Sequence, residues 1–100
     1  MKAKQYTKVI DEKYIVPDTL GGGLIKFEAW ELEGIVVKYN MVYINQNFYP
    51  NDNGRVVGYD NAHGFHHKHY FGEIVELENF VSYEAQVRQF REEIKEFVHD

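Results

Sequence analysis

The feature that most constrains the fold is a change in the spacing of apolar residues near residue 82. Before this point, short segments rich in Val, Ile, Tyr and Phe alternate with turn residues, which is typical of β-strands. After it, apolar residues recur at three- and four-residue steps, as in an amphipathic helix. The chain therefore predicts an α+β fold, an antiparallel β-meander sheet of about four to five strands covered by one C-terminal α-helix.

Four segments are predicted to be strands: residues 7–16, 24–32, 35–48 and 55–60. Residues 17–23 and 50–54 are the clearest turns, and the second contains an Asn-Gly pair, which readily adopts the positive φ angles of a hairpin turn. Within residues 24–32, strict alternation places Ile25, Phe27 and Ala29 on one face of the sheet.

The helix is predicted to begin after Ser82, a residue type favoured at helix N-caps. Its apolar stripe consists of Val87, Phe90, Ile94 and Phe97 or Val98. A single stripe of this kind needs an apolar partner, so we expect the helix to cover one face of the sheet.

Composition restricts the class of protein. With 100 residues the chain has room for one domain, residues 1–100. It has no cysteine, which excludes disulfides and thiolate metal sites and favours a cytoplasmic protein. No apolar run approaches the roughly 20 residues of a membrane span. Residues 73–100 hold eight acidic and three basic residues, which argues against non-specific nucleic-acid binding and suits a basic partner.

Four of the five histidines lie within residues 59–70, which we call the histidine segment. Each imidazole must be solvated, hydrogen-bonded or charged, so such a concentration predicts a functional site. The candidate catalytic residues are Asp60, His63, His66, His67 and His69, and the candidate substrate contacts are Tyr59, Asn61, Lys68 and Tyr70. Activity requires several of these imidazoles to gather with a carboxylate around one concavity that solvent can reach.

Proton transfer is the first of three interpretations of this segment. One imidazole can accept a proton while another donates, and Asp60 can orient a ring. In an extended chain, His67 and His69 point to one face of the strand. Lys68 then points to the other face with His66, where it could contact a phosphate. This chemistry suits cleavage or transfer at a phosphodiester.

The other two interpretations do not require the protein to be an enzyme. A divalent transition metal could be bound by His63, His67 and His69, with an oxygen ligand from Asp60 or Glu73. The spacing lacks the pattern of a zinc finger or of a helical H-E-x-x-H site. Alternatively, the segment is a polar loop of a protein-interaction module, one version of which is a homodimer formed through a sheet edge and the acidic helix.

Residues 58–63 and 66–69 resemble the signature of the TumE-type toxins of prokaryotic toxin–antitoxin modules. The resemblance extends in outline over most of the chain. It includes the strand that carries Phe27 and Trp30, and the C-terminal helix. It implies a cytoplasmic toxin and a cognate antitoxin, often a helix-turn-helix DNA-binding protein. Many small toxins of such modules cleave RNA, so by analogy with them we expect a ribonuclease. Its site is carried onto Tyr59, Asp60, Asn61, His63, His66, His67 and His69.

Overall fold

The computed structural model describes residues 5–99, apart from the side chain of His63. Within them, six antiparallel strands pair in chain order to form one sheet, and one α-helix follows. The elements are β1 (Thr7–Ile15), β2 (Leu24–Leu32), β3 (Ile35–Ile44), β4 (Arg55–Asp60), β5 (His67–Tyr70), β6 (Glu73–Glu76) and α1 (Tyr83–Ile94). The α+β meander with its C-terminal helix is confirmed, with slightly more strands than predicted.

The additional strands are β5 and β6, and β5 lies inside the histidine segment. Phe71 and Gly72 connect them, with positive φ angles of 45° and 82°. Two consecutive positive φ angles suit the right-handed twist of a tight hairpin. Phenylalanine rarely adopts this conformation, so its position carried no turn signal in the sequence.

The core lies between α1 and one face of the sheet. Phe90 of α1 is fully buried, and its ring meets the rings of Phe27 and Tyr59 edge to face, at centroid distances of 5.5 and 6.4 Å. The predicted apolar stripe is confirmed, because Ile94 and Phe97 are also buried in the core. Among the described residues, no helix is long and apolar enough to cross a membrane.

The N-terminus of α1 is capped as predicted. The Ser82 hydroxyl accepts a hydrogen bond from the backbone N–H of Ala85 at 3.1 Å. We expect Ser82→Ala to lower the free energy of unfolding by about 1 kcal/mol, because that N–H loses its partner. Urea denaturation measures the loss, and Ser82→Asp, which keeps an acceptor, should retain most of the stability. An unchanged urea midpoint in Ser82→Ala would show that the cap contributes nothing.

Candidate functional site

Strand pairing brings part of the histidine segment together. Asp60, at the end of β4, lies opposite His67 of β5, and Gly58 lies opposite His69. Directly opposite residues share a face of the sheet, and so do alternate residues of one strand. Tyr59 packs against α1. Asp60, His67 and His69 therefore share the face that points away from the helix.

These three side chains form one hydrogen-bonded group, which we call the histidine–aspartate cluster. Asp60 Oδ1 lies 2.8 Å from His67 Nε2, and Asp60 Oδ2 lies 3.0 Å from His69 Nε2. The backbone N–H of Ala62 also donates to Oδ1, at 3.0 Å. Both histidines are only 6% exposed. One carboxylate thus joins two buried imidazoles from adjacent positions on one strand face.

The hydrogen bonds of His67 decide which of its ring nitrogens faces Asp60. Its Nδ1 lies 3.1 Å from the carbonyl oxygen of Phe65, which can only accept, so Nδ1 carries a hydrogen and donates. Its Nε2 faces a second acceptor, the carboxylate of Asp60. A proton or another cation must therefore lie between Nε2 and the carboxylate, because otherwise two lone pairs would face each other.

Arg55 is a charged neighbour of the cluster that sequence analysis missed. Burial lowers the pKa of His69, and the positive charge of Arg55 lowers it further. The Arg55 side chain lies over Gly58, where an added Cβ would come within 3.2 Å of Arg55 Cδ. Its guanidinium makes two hydrogen bonds to Asp52, at 2.8 and 3.0 Å. Gly58 was the available signal, because a glycine inside a strand often marks a close approach.

His66 points to the other face of the sheet, as the alternation predicts. Its Nδ1 lies 2.9 Å from the hydroxyl of Tyr39, and its ring stacks on Phe80 with centroids 3.7 Å apart. Burial lowers the pKa of His66, and the neighbouring His67 lowers it further. His66 is therefore a separate imidazole in an aromatic stack, and it does not join the histidine–aspartate cluster.

Two cavities open beside the histidine segment, with volumes of about 420 and 410 Å³. Asn61 and His66 line both of them, whereas none of the three cluster residues lines either. The expected arrangement is thus divided between two places. Two imidazoles gather with a carboxylate in a buried position, and a third imidazole faces the open space.

Three of the predicted substrate contacts lie on the helix-facing side of the sheet. The buried hydroxyl of Tyr59 donates to the carboxylate of Glu93 on α1, and the ammonium of Lys68 pairs with the same carboxylate. That ammonium also lies 5.1 Å from the centre of the Tyr70 ring. In this structure Tyr59 and Lys68 join the sheet to α1, and all three side chains lie away from the histidine–aspartate cluster.

The other predicted residues have different positions. Asn61 extends the pairing of β4 with β3, accepting from the Tyr39 N–H at 3.0 Å and donating to the Val37 carbonyl at 2.8 Å. Glu73 is exposed on β6 opposite Tyr70, outside the cluster. The backbone of His63 lies in a short 3₁₀ turn, and its side chain is outside the described part of the chain.

The chain is similar to a known protein family over most of its length. A family model described as Toxin TumE matches residues 21–98. The matched residues run from the turn before β2 to beyond the end of α1, so they include the whole histidine segment. No curated protein and no solved structure matches the chain.

Proposed function

The chain belongs to the TumE toxin family, as its histidine segment predicted, and from this premise we propose that it cleaves RNA through the histidine–aspartate cluster. Membership of a toxin family implies a cognate antitoxin. By analogy with other modules of this kind, we propose a helix-turn-helix DNA-binding protein as that antitoxin. We place the toxin in the cytoplasm, where an RNA substrate is available.

The observation that carries this proposal is the joining of two imidazoles by one carboxylate. Such a group can exchange protons with the attacking and leaving oxygens of a phosphodiester, or hold a metal ion that polarises the phosphate. Arg55 lies close to His69 and could contact a phosphate by exchanging its partner Asp52 for the substrate. These groups are the parts that cleavage of a phosphodiester needs.

The cluster is buried, so a substrate can reach it only if side chains around it move. Phe65 is 44% exposed, and its ring centroid lies 5.2 Å from that of His67. We propose that RNA displaces the side chains of Phe65 and Arg55 when it binds.

The proposal predicts that growth arrest depends on the cluster. Expression of the wild-type chain should stop growth, and His69→Gln or Asp60→Asn should abolish the arrest, because loss of a proton-transfer group costs about 10²–10⁴-fold in rate. His99→Ala is the matched control, since this histidine lies outside the segment and is exposed. Colony counts on induction, with and without the cognate antitoxin, measure the effect. Full toxicity of folded His69→Gln protein would contradict the proposal.

The ribonuclease activity is tested separately from toxicity. Purified wild-type protein should shorten single-stranded RNA on denaturing gels, and DNA of the same sequence should stay intact because it lacks the attacking 2′-hydroxyl. His69→Gln should leave the RNA intact. Growth arrest by a protein that cleaves no RNA would reject the ribonuclease proposal and leave the toxin role in place.

A homodimer is a second proposal on the partners of this chain. Strand β6 forms one edge of the sheet, and Ile74 on it is 65% exposed. An exposed edge of this kind can pair with the edge of another copy. We expect light scattering to show a dimer that Ile74→Lys dissociates. A monomer at every concentration tested would reject this proposal.

A further inference from the structure

We infer that the histidine–aspartate cluster is a binding site for a divalent transition metal ion of the zinc type. Its ligands would be His67 Nε2, His69 Nε2 and a carboxylate oxygen of Asp60. The inference concerns the same cluster as the proposed function and deepens it. It does not require RNA to be the substrate, so either can fail without the other.

The donor set is the first argument. The three ligand atoms lie within 4.8 Å of one another. Two imidazole nitrogens with one carboxylate oxygen suit zinc, cobalt, nickel and iron, whereas calcium and magnesium prefer oxygen ligands alone. Metal–ligand bonds of about 2.0–2.2 Å at tetrahedral angles separate the ligand atoms by about 3.3–3.6 Å. The present separations, 2.8 Å from His67 Nε2 to Oδ1 and 3.0 Å from His69 Nε2 to Oδ2, are shorter than this range, so the ligands would move apart when the ion binds.

The hydrogen bonds around the ligands are the second argument. A histidine that binds a metal usually donates its other ring N–H to a carbonyl or a carboxylate, which leaves the lone pair on the ligating nitrogen. His67 has this arrangement, because its Nδ1 donates to the carbonyl of Phe65. Its Nε2 lone pair is thereby directed at the carboxylate of Asp60. The carboxylate is itself held by the N–H of Ala62. A cation between Nε2 and the carboxylate removes the conflict between these two acceptors.

The surrounding charges are compatible with a bound cation. Arg55 is the positive group close to His69, but its guanidinium is paired with the carboxylate of Asp52 through two hydrogen bonds. The charge of Arg55 opposes a cation at His69, and the paired carboxylate of Asp52 offsets part of this repulsion. Glu76 lies opposite His67 on β6, and opposite residues share a face of the sheet. This places a further negative charge on the same side as the cluster.

The number of ligands indicates the type of site. Structural zinc sites usually have four protein ligands, whereas catalytic sites have three and keep one position for water or substrate. The three side chains of this cluster correspond to the second type. In the proposed function, the ion would supply Lewis acidity toward the phosphate of the substrate.

Direct titration with metal tests the inference. The full chain is purified without a histidine tag, treated with a chelator, and titrated with Co²⁺ for visible absorption and with Zn²⁺ for calorimetry. We expect one ion per chain and a higher melting temperature in its presence. His67→Ala and His69→Ala should weaken binding by more than the roughly 10–100-fold that loss of an outer hydrogen-bond partner costs. His66→Ala, His99→Ala and Glu73→Gln should leave it unchanged.

A further variant keeps the test informative if the alanine variants do not fold. His69→Cys replaces one ligand by a thiolate, so it should still bind one Co²⁺ and show a new near-ultraviolet charge-transfer band. Absence of stoichiometric binding by the wild-type chain, or equal binding by His67→Ala, would overturn the inference. RNA cleavage at full rate in excess chelator would show that the ion has no catalytic role. The ribonuclease proposal would then still stand. Specific metal binding without RNA cleavage would support the metal site and reject the ribonuclease.

Discussion

Replacing Phe90 by alanine should lower the free energy of unfolding by about 3–5 kcal/mol, because the ring is fully buried and its surroundings relax only partially into the cavity left behind. Phe90 is the residue of α1 that meets Phe27 of β2 and Tyr59 of β4 together. Domains of this size have a total stability on the order of 5–15 kcal/mol. The variant should therefore lose a large fraction of the stability of the domain.

Urea denaturation followed by circular dichroism measures this loss. Arg88→Ala is the matched control, because Arg88 lies on the exposed side of the same helix and its removal should change stability by less than about 0.5 kcal/mol. Phe90→Leu should recover a large part of the loss by refilling the space. A loss below about 1 kcal/mol in Phe90→Ala would show that α1 contributes little to the core.

Gly23→Ala should destabilise the protein by about 2–6 kcal/mol, the sum of backbone strain and overpacking. Gly23 has a φ of 98°, which residues with a side chain rarely adopt. An added Cβ would lie 2.6 Å from the carbonyl oxygen of Ile44 and 2.8 Å from the ring of Tyr43. The ring has little room to withdraw, because the Tyr43 hydroxyl donates to the carbonyl of Gly22 at 2.7 Å.

Gly34→Ala is the matched control for this prediction. Gly34 also has a positive φ, 80°, but nothing lies within 4 Å of the position of its Cβ. Gly34→Ala should therefore lower the free energy of unfolding only by the strain of a left-handed residue, about 1–2 kcal/mol. Thermal and urea unfolding of the two variants separate strain from overpacking. Equal losses in both would mean that the close approach at Gly23 has no energetic consequence.

Local pattern alone was enough to predict the main elements of the fold. The alternation around Phe27 and Ala29 correctly identified the buried face of β2, and Ser82 correctly marked the start of α1. These predictions succeed because the side-chain period of a strand or helix is a property of neighbouring residues. The β5–β6 hairpin was missed because its turn begins at Phe71, a residue type that gives no local signal for a positive φ.

The candidate site was predicted only as a segment. Alternation alone placed His67 and His69 on one face and His66 on the other, and the structure agrees. Alternation does not predict which side chain forms a hydrogen bond with each imidazole. Asp60 faces His67 because the register of β4 with β5 aligns them, and Tyr39 reaches His66 from β3.

The amino-acid sequence by itself determined the first four strands and the closing helix, the buried faces of β2 and α1, and the segment that carries the histidines. Only the tertiary structure decided that one carboxylate joins two of these imidazoles, that Arg55 lies beside them, and that Lys68 pairs with α1 instead. The physical reason is that periodicity specifies which way a side chain points, whereas its partner depends on strand register and on packing between distant parts of the chain.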